Sequence, residues 1–488
     1  MKSLLANQNS NDAGLPSPVE LDAKQCRKAR LARDARYDGL FFVAVKTTGI
    51  FCRPVCPAVA PKEKNVTYYR EASQASLAGF RPCYRCRPDS APHSCAWNGT
   101  QTTLQRAMRL IDQGALQGGT LPALAERLGI GDRYLRKLFE QALGLSPKAY
   151  ALFRQLMFAK QLLHESHLPM SAIAGAAGFN SVRRFNDAFS KHLQAKPSDI
   201  RRGKKTSGQS IRLNLNYRPP FNWPVMLAYW QQRTIAGVEW SDDTVYGRTF
   251  RHTHPVSGQV CEGSFELRAV QNRNTLELKI NLSDASQLMP VVAHIRSMLD
   301  LDADVETIET HLSREPALAQ KLTPGLRIPG IWHPYEAGIR AILGQQVSIA
   351  AARTHLGRLV EALGDKDPEN ASRYFFPSPS IVANSELEML KLPVRRRDTV
   401  REFSRWFSEA SSEEQNNPDL WLALKGIGPW TVDYVKMRAF GHTDIWLGSD
   451  LGIKKALAAI TEAAPEFSPD SLSPWRSYAT FHLWRTLA

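Results

Sequence analysis

The chain has 488 residues, 43% of them apolar, and a formal net charge of +15. That length exceeds what a single hydrophobic core organises and predicts three or four units. No run of eighteen apolar residues occurs, and the opening MKSLLANQNSNDAG lacks a stretch long enough for a signal peptide, so a membrane span is excluded and a cytoplasmic protein is expected, where clustered cysteines serve metal or catalysis rather than disulfides.

Charge divides the chain unevenly. Residues 1–209 carry 32 Lys+Arg against 15 Asp+Glu, and the remainder carries 30 against 32. The electrostatic footprint of a nucleic-acid partner therefore lies in the first part, and any DNA contact in the second must work without a strong basic field. In chain order the expected units are a disordered N-terminus (1–20), a cysteine module (21–95), a helical repeat (100–202), a basic linker (203–209), a small strand-rich module (210–286) and a helical body (287–488). The expected fold is multidomain and mainly α: a small α+β cysteine module, a tandem helical repeat, a small antiparallel sheet with helix, and an all-helical body.

Cys52, Cys56, Cys83 and Cys86 form two close pairs separated by 26 residues. Two pairs joined by a returning loop supply the four corners of a tetrahedral Zn2+ site, the alternative being four buried free thiols. Cys26 and Cys95 read as bystanders. The runs RDARYDGLFFVAVKTTGIFCRPVCPAVAP and NVTYYREASQASLAGFRPCYRCRPD resemble the zinc domain of the bacterial Ada-type adaptive-response regulators over residues 30–90. The resemblance implies one zinc ion and makes Cys52 the thiolate that irreversibly accepts a methyl group from a DNA methylphosphotriester. Four thiolates on Zn2+ carry a formal charge of −2, and methylating one leaves −1, so repair would raise affinity for DNA. Zinc held only for structure is the alternative.

Residues 121–150 and 170–200 repeat: Ala125 and Gly129 correspond to Ala174 and Gly178, and Phe139 and Pro147 to Phe189 and Pro197. Each copy reads as an apolar helix, a glycine turn and a second helix studded with Arg and Lys, near 132–141 and 181–192. The pattern resembles the paired helix-turn-helix units of AraC-type regulators, which implies successive major-groove contacts on promoter DNA and, through that family, RNA polymerase as a partner. Arg133, Arg136, Lys137, Arg183, Arg184 and Asn186 are the candidate DNA contacts; solvated faces of a structural bundle are the alternative.

Alternation in TLELKINLS marks strands, and from about Gln287 amphipathic helical patterns follow. LKGIGPWTVDYVKMRAF (424–440) has a Gly-x-Gly turn, Gly426 and Gly428, whose backbone can approach a phosphate and offer helix amides to it, although any helix connection can use such a turn. About twenty residues on stands Asp450, which is also a possible helix N-cap. Hairpin plus aspartate resembles the helix-hairpin-helix DNA glycosylases. RAILGQQVS, PGLRIPG, PWRSYATFHLW and LNYRPPFNWPVMLAYW narrow the likeness to the AlkA-type 3-methyladenine glycosylases over 211–487.

That resemblance implies excision of alkylated bases from double-stranded DNA, with Asp450 catalytic. Trp430 and Tyr434, one helical turn apart, form with Trp475 an aromatic pocket for a flipped, cationic base; as bare sequence they read equally as core aromatics. Gln345 and Gln346 fall at the DNA-inserting loop, where the founding member has leucine opposite Gln346. Trp430 replaces the hairpin lysine of bifunctional members, and no four-cysteine iron-sulfur motif follows the hairpin. A monofunctional, monomeric fusion is thus expected, which senses methylation, activates transcription and excises bases; the alternative is a regulator whose glycosylase half only binds DNA.

Overall fold

The computed structural model describes residues 23–463 and 467–487, apart from 34–36, 38–40, 57, 70–73, 76–77, 84–85, 87, 89–99 and 202–209. The N-terminal segment, the linker and Cys95 discussed above lie outside the described residues. The chain divides into two compact units, Met1–Thr102 and Thr103–Ala488.

The first unit contains helix α1 (Ala23–Ala32) and a small sheet of β1 (Phe42–Val45), β2 (Ile50–Cys52), β3 (Val66–Tyr69) and β4 (Arg81–Pro82) in the order β3-β1-β2-β4. The apolar run LFFVAV makes β1 the central, fully buried strand. Its side chains alternate between two small cores: Phe41 and Val43 meet Cys26 and Ala29 of α1, while Phe42 and Ala44 meet Phe51 and Ala75. Cys26 is therefore a core residue. Arg30, 6% exposed, ties α1 to the sheet through Glu63 (2.5 Å) and the Tyr68 hydroxyl (3.2 Å).

The second unit begins with the helical repeat: α2 (Thr100–Asp112), α3 (Leu121–Arg127), α4 (Asp132–Leu143), α5 (Pro147–Glu165), α6 (Met170–Ala176) and α7 (Val182–Leu193). Gly129 (φ +69°) and Gly178 (φ +78°) turn the chain between the paired helices, a left-handed conformation that glycine adopts without strain. Thr120, Ser146 and Ser181 cap α3, α5 and α7, each accepting a backbone N–H three residues on.

The strand-rich module is a five-stranded antiparallel sheet of β5 (Ile211–Asn216), β6 (Glu239–Ser241), β7 (Val245–Thr253), β8 (Val260–Ala269) and β9 (Thr275–Leu282), ordered β5-β9-β8-β7-β6 and crossed by α8 (Trp223–Gln231). Strict alternation puts Ile211, Leu213 and Leu215 of β5 inward. The helical body contains α9 (Leu288–Met298), α10 (Pro334–Gly344), α11 (Ile349–Leu363), α12 (Val394–Glu409), α13 (Pro429–Arg438), α14 (Leu451–Ala463) and α15 (Arg476–Arg485). It is not all-helical: Lys366–Asp367 and Asn370–Tyr374 pair as an antiparallel hairpin. Pro368 cannot continue a helix, the Asp367 carboxylate accepts the Glu369 N–H (3.0 Å), and the second strand docks on the sheet module through Tyr374 N–H to Gly237 O (2.9 Å). No described helix is long and apolar enough to cross a membrane.

A buried ion network joins sheet to helical body. Arg248 of β7 meets Glu336 of α10 at 2.7 Å, and Arg340 of α10 meets Glu239 of β6 at 2.7 Å and Glu336 at 2.8 Å. Tyr246 donates its hydroxyl proton to Glu239 (2.8 Å), and the backbone N–H of Ile235 donates to the same carboxylate (2.9 Å). Burial raises the Glu336 carboxyl, but the two guanidiniums overcome it and hold the group down to about 2. Removing one partner strands a buried charge, so Glu336→Ala is expected to cost about 3–5 kcal/mol in urea unfolding. Because the folded-state value is depressed, the stability from this carboxylate is present above its unfolded value of roughly 4.3 and is lost as pH falls toward 2; the difference between wild type and Glu336→Gln should narrow over that window.

Candidate functional site

The four predicted cysteines converge. Their sulfur atoms lie within 4.8 Å of one another. β2 ends at Cys52, and β4, parallel to it, delivers Cys83, whose N–H donates to Phe51 O (3.0 Å). Cys56 returns through a turn closed by its N–H on Arg53 O (3.1 Å). Four thiolates on a tetrahedron with Zn–S near 2.3 Å stand roughly 3.8 Å apart, so the cluster fits Zn2+ with little movement. Cys56 and Cys86 are buried, and Cys52 and Cys83 are partly exposed. Backbone N–H groups reach Cys86 from Arg53 (3.4 Å) and Cys56 from Ala58.

In the helical repeat, α4 and α7 occupy the ranges expected of recognition helices. Leu135, Leu138 and Phe139 of α4, and Phe185 and Phe189 of α7, are buried, while Arg133, Arg136, Lys137, Arg183, Arg184 and Asn186 are all exposed. Arg136 meets Asp132 at 3.7 Å across one turn, an exposed pair worth a few tenths of a kcal/mol and easily exchanged for a phosphate.

The hairpin is built as Gly426 and Gly428 imply, although the element before it is a short 3-10 helix, Pro418–Ala423. Gly426 has φ +89°, and a Cβ there would stand 2.4 Å from Thr399 Oγ1. Gly428 caps α13 in open space. Gln345, just after α10, donates its amide N–H to Gly426 O (3.2 Å) and Thr431 Oγ1 (3.1 Å), bracing the hairpin. Gln346 is exposed and left-handed (φ +55°), thrust out of the loop by its own backbone.

Asp450 lies at the start of α14 and serves two ends. Its Oδ1 accepts the Ile453 N–H (3.1 Å), the helix-capping bond, and the Trp484 indole N–H (2.9 Å); its Oδ2 accepts the Trp430 indole N–H (3.1 Å). Capping and an oriented carboxylate are the same arrangement. Trp430 stacks on Tyr434, centroids 5.4 Å apart at 21°. Trp475 opens α15, its ring meets Tyr478 edge-on at 5.9 Å, and it packs against the same hydrophobic core as Trp430 and Tyr434. Trp484, in the same PWRSYATFHLW run, is the indole that reaches Asp450. Tyr229 of α8 was also missed. Arg438, 5% exposed, donates to both the Tyr229 hydroxyl (2.6 Å) and the Tyr434 hydroxyl (3.0 Å) and so draws a sheet-module tyrosine beside the hairpin aromatics.

Known proteins resemble each part. Residues 25–89 match the metal binding domain of Ada, 124–203 a helix-turn-helix domain, and 212–333 the AlkA N-terminal domain. The probable bifunctional transcriptional activator/DNA repair enzyme AlkA of Mycobacterium tuberculosis is 35% identical over 487 residues, covering 96% of this chain and 97% of its own. DNA-3-methyladenine glycosylase 2 of Escherichia coli is 30% identical over 56% of this chain and 96% of its own, and the E. coli activator/repair enzyme Ada is 44% identical over 25% of this chain and 32% of its own.

The indole contacts separate the two C-terminal tryptophans experimentally. Trp484→Phe removes a hydrogen bond to a carboxylate and is expected to cost about 1.5–3 kcal/mol in urea unfolding, while Trp475→Phe, which keeps its ring contact, should cost under about 1 kcal/mol.

Proposed function

Because the chain belongs to the family of bifunctional transcriptional activator/DNA repair enzymes that couple an Ada zinc domain to an AlkA glycosylase, we propose that it detects methylated DNA backbone, activates the response and excises alkylated bases, each step carried by the residues located above. The observation that carries the excision half is the Asp450 carboxylate, oriented by two indole N–H groups beside a stacked aromatic pair.

For the sensor, Cys52, Cys56, Cys83 and Cys86 hold Zn2+, whose charge keeps the sulfurs ionised at neutral pH. The Cys52 sulfur attacks the methyl carbon of a methylphosphotriester; the S–C bond forms as the O–C bond breaks, and the electron pair leaves on the phosphodiester oxygen. The product thioether is neutral, so the module presents one negative charge fewer to DNA. The exposed faces of α4 and α7 then read promoter DNA, with RNA polymerase recruited by the bound protein, which acts as a monomer in the cytoplasm.

For excision, Gly426 and Gly428 let the hairpin backbone approach a phosphate, Gln345 holds the hairpin, and Gln346 enters the stack where the damaged nucleotide leaves it. Trp430 and Tyr434 receive the cationic base. The glycosidic bond breaks with its electrons going to the base. Asp450 stabilises the positive charge left on the sugar, and water adds at C1′ and yields its proton. At position 430, where bifunctional members carry the Schiff-base lysine, the chain has tryptophan, so no amine stands there to attack the sugar and the phosphodiester chain stays intact.

Asp450→Asn preserves the shape of the site and removes its charge. Release of 3-methyladenine from alkylated duplex should fall by about 10²–10⁴-fold with DNA binding retained; a wild-type protein that releases no base would leave only the regulatory half of the proposal. Cys52→Ala should abolish transfer of radiolabelled methyl to protein. Electrophoretic mobility of promoter DNA should shift at lower wild-type concentration after exposure to methylphosphotriester DNA, and identical binding before and after would refute the charge switch.

A further inference from the structure

The second helix-turn-helix unit is not a separate bead. Leu162 of α5, Ile173 of α6 and Phe185 of α7 belong to the same hydrophobic core as Ile211 and Leu213 of β5 and Val291 of α9, whereas the first helix-turn-helix unit keeps its own core around Leu124, Leu135 and Phe139. β5 is the outer strand of the five-stranded sheet, and an outer strand leaves main-chain groups without a ladder partner. Here α5 supplies the partners. Gln161 donates its amide N–H to Asn214 O (2.8 Å) and to Glu165 (3.0 Å), and the Asn214 N–H donates to Glu165 (2.8 Å). Gln117, ahead of α3, reaches Met289 Sδ of α9 at 3.4 Å.

This joint uses the inner face of the unit and leaves the outer one free. On α7, Phe185 and Phe189 point into the shared core while Arg183, Arg184, Asn186 and Lys191 are exposed. The part of the chain beyond residue 209 has 30 Lys+Arg against 32 Asp+Glu and so lacks a long-range attraction for DNA. We propose that the outward basic face of α7 is a DNA-binding site for the excision reaction itself, fixed to the near-neutral glycosylase through the buried α5–β5 joint and supplying the electrostatic grip that half does not possess. The proposal rests on the glycosylase reading above.

The test uses the full-length protein and random-sequence duplex bearing 3-methyladenine, with no promoter site. Arg183→Ala/Arg184→Ala is expected to lower kcat/KM about tenfold at physiological salt and to flatten the log–log salt dependence of binding by about two, while single-turnover excision at saturating enzyme stays within about twofold of wild type. Unchanged kcat/KM and salt dependence would overturn the proposal, as would a single-turnover loss as large as the loss in kcat/KM. Wild-type protein that releases no base would instead defeat the glycosylase reading. For the joint, Gln161→Ala/Glu165→Ala should speed amide exchange at β5 together with α5 and α6; exchange that changes in neither, or in β5 alone, would show that the two are not one body.

Discussion

The buried network of Arg248, Glu336, Arg340 and Glu239 is the constraint on which the excision site depends. It fixes α10 against the sheet, and everything that shapes the site follows from the far end of that helix. Gln345 leaves α10 and hydrogen-bonds the hairpin at Gly426 and Thr431; the hairpin starts α13, which carries Trp430; and Trp430 holds Asp450. A network of four buried charges is a costly way to gain stability, since apolar residues of the same volume often do as well. Its value here is directional. Salt bridges with fixed forks allow one register of helix on sheet, and a shift of an ångström at α10 would be carried through rigid contacts to the carboxylate.

Two anionic centres in this chain must act on a polyanion, and they are handled by opposite means. The four sulfurs of the zinc module lie within 4.8 Å and can all ionise only beside a cation, so their reactivity is coupled to the metal. Asp450 has no cationic partner among the described residues. Two indole N–H groups and a helix N-terminal amide satisfy it with dipoles alone. Neutral donors orient the carboxylate without cancelling its charge, and that charge is what an oxocarbenium-like sugar requires. In the proposed function the hairpin would follow the same logic, with the backbone at Gly426 and Gly428 facing phosphate.

Much of this was legible in the sequence because it is local. Cysteine spacing, the repeat with glycines at 129 and 178, and the Gly-x-Gly turn each report a constraint that acts within a few residues, and the structure places them as read. What was not legible depends on side-chain direction across elements. PWRSYATFHLW contains two tryptophans nine residues apart, and it takes α15 packed against α14 to turn Trp484 toward Asp450. Tyr229 sat in a run assigned to the sheet module, and its meeting with Tyr434 passes through the buried guanidinium of Arg438, more than two hundred residues away in sequence. The hairpin at 366–374 was hidden among helical patterns, although Asp-Pro followed by Glu-Asn is a turn signal.

The division of charge along the chain gains a structural meaning from the α5–β5 joint. A base-excising surface with a strong basic field of its own would be retained on intact DNA, since phosphate attraction does not distinguish damage. In the proposed arrangement that field lies on a neighbouring unit, which would separate holding the duplex from inspecting it: the hairpin and the aromatic pair would meet the nucleotide with neutral groups while the arginines of α7 kept contact with the backbone. The arrangement needs the two units to be held firmly, because a grip on a slack tether would act only through effective concentration. Gln161 and Glu165, closing the open edge of β5 above a continuous apolar core, meet that need with main-chain hydrogen bonds that a freely jointed linker could not provide.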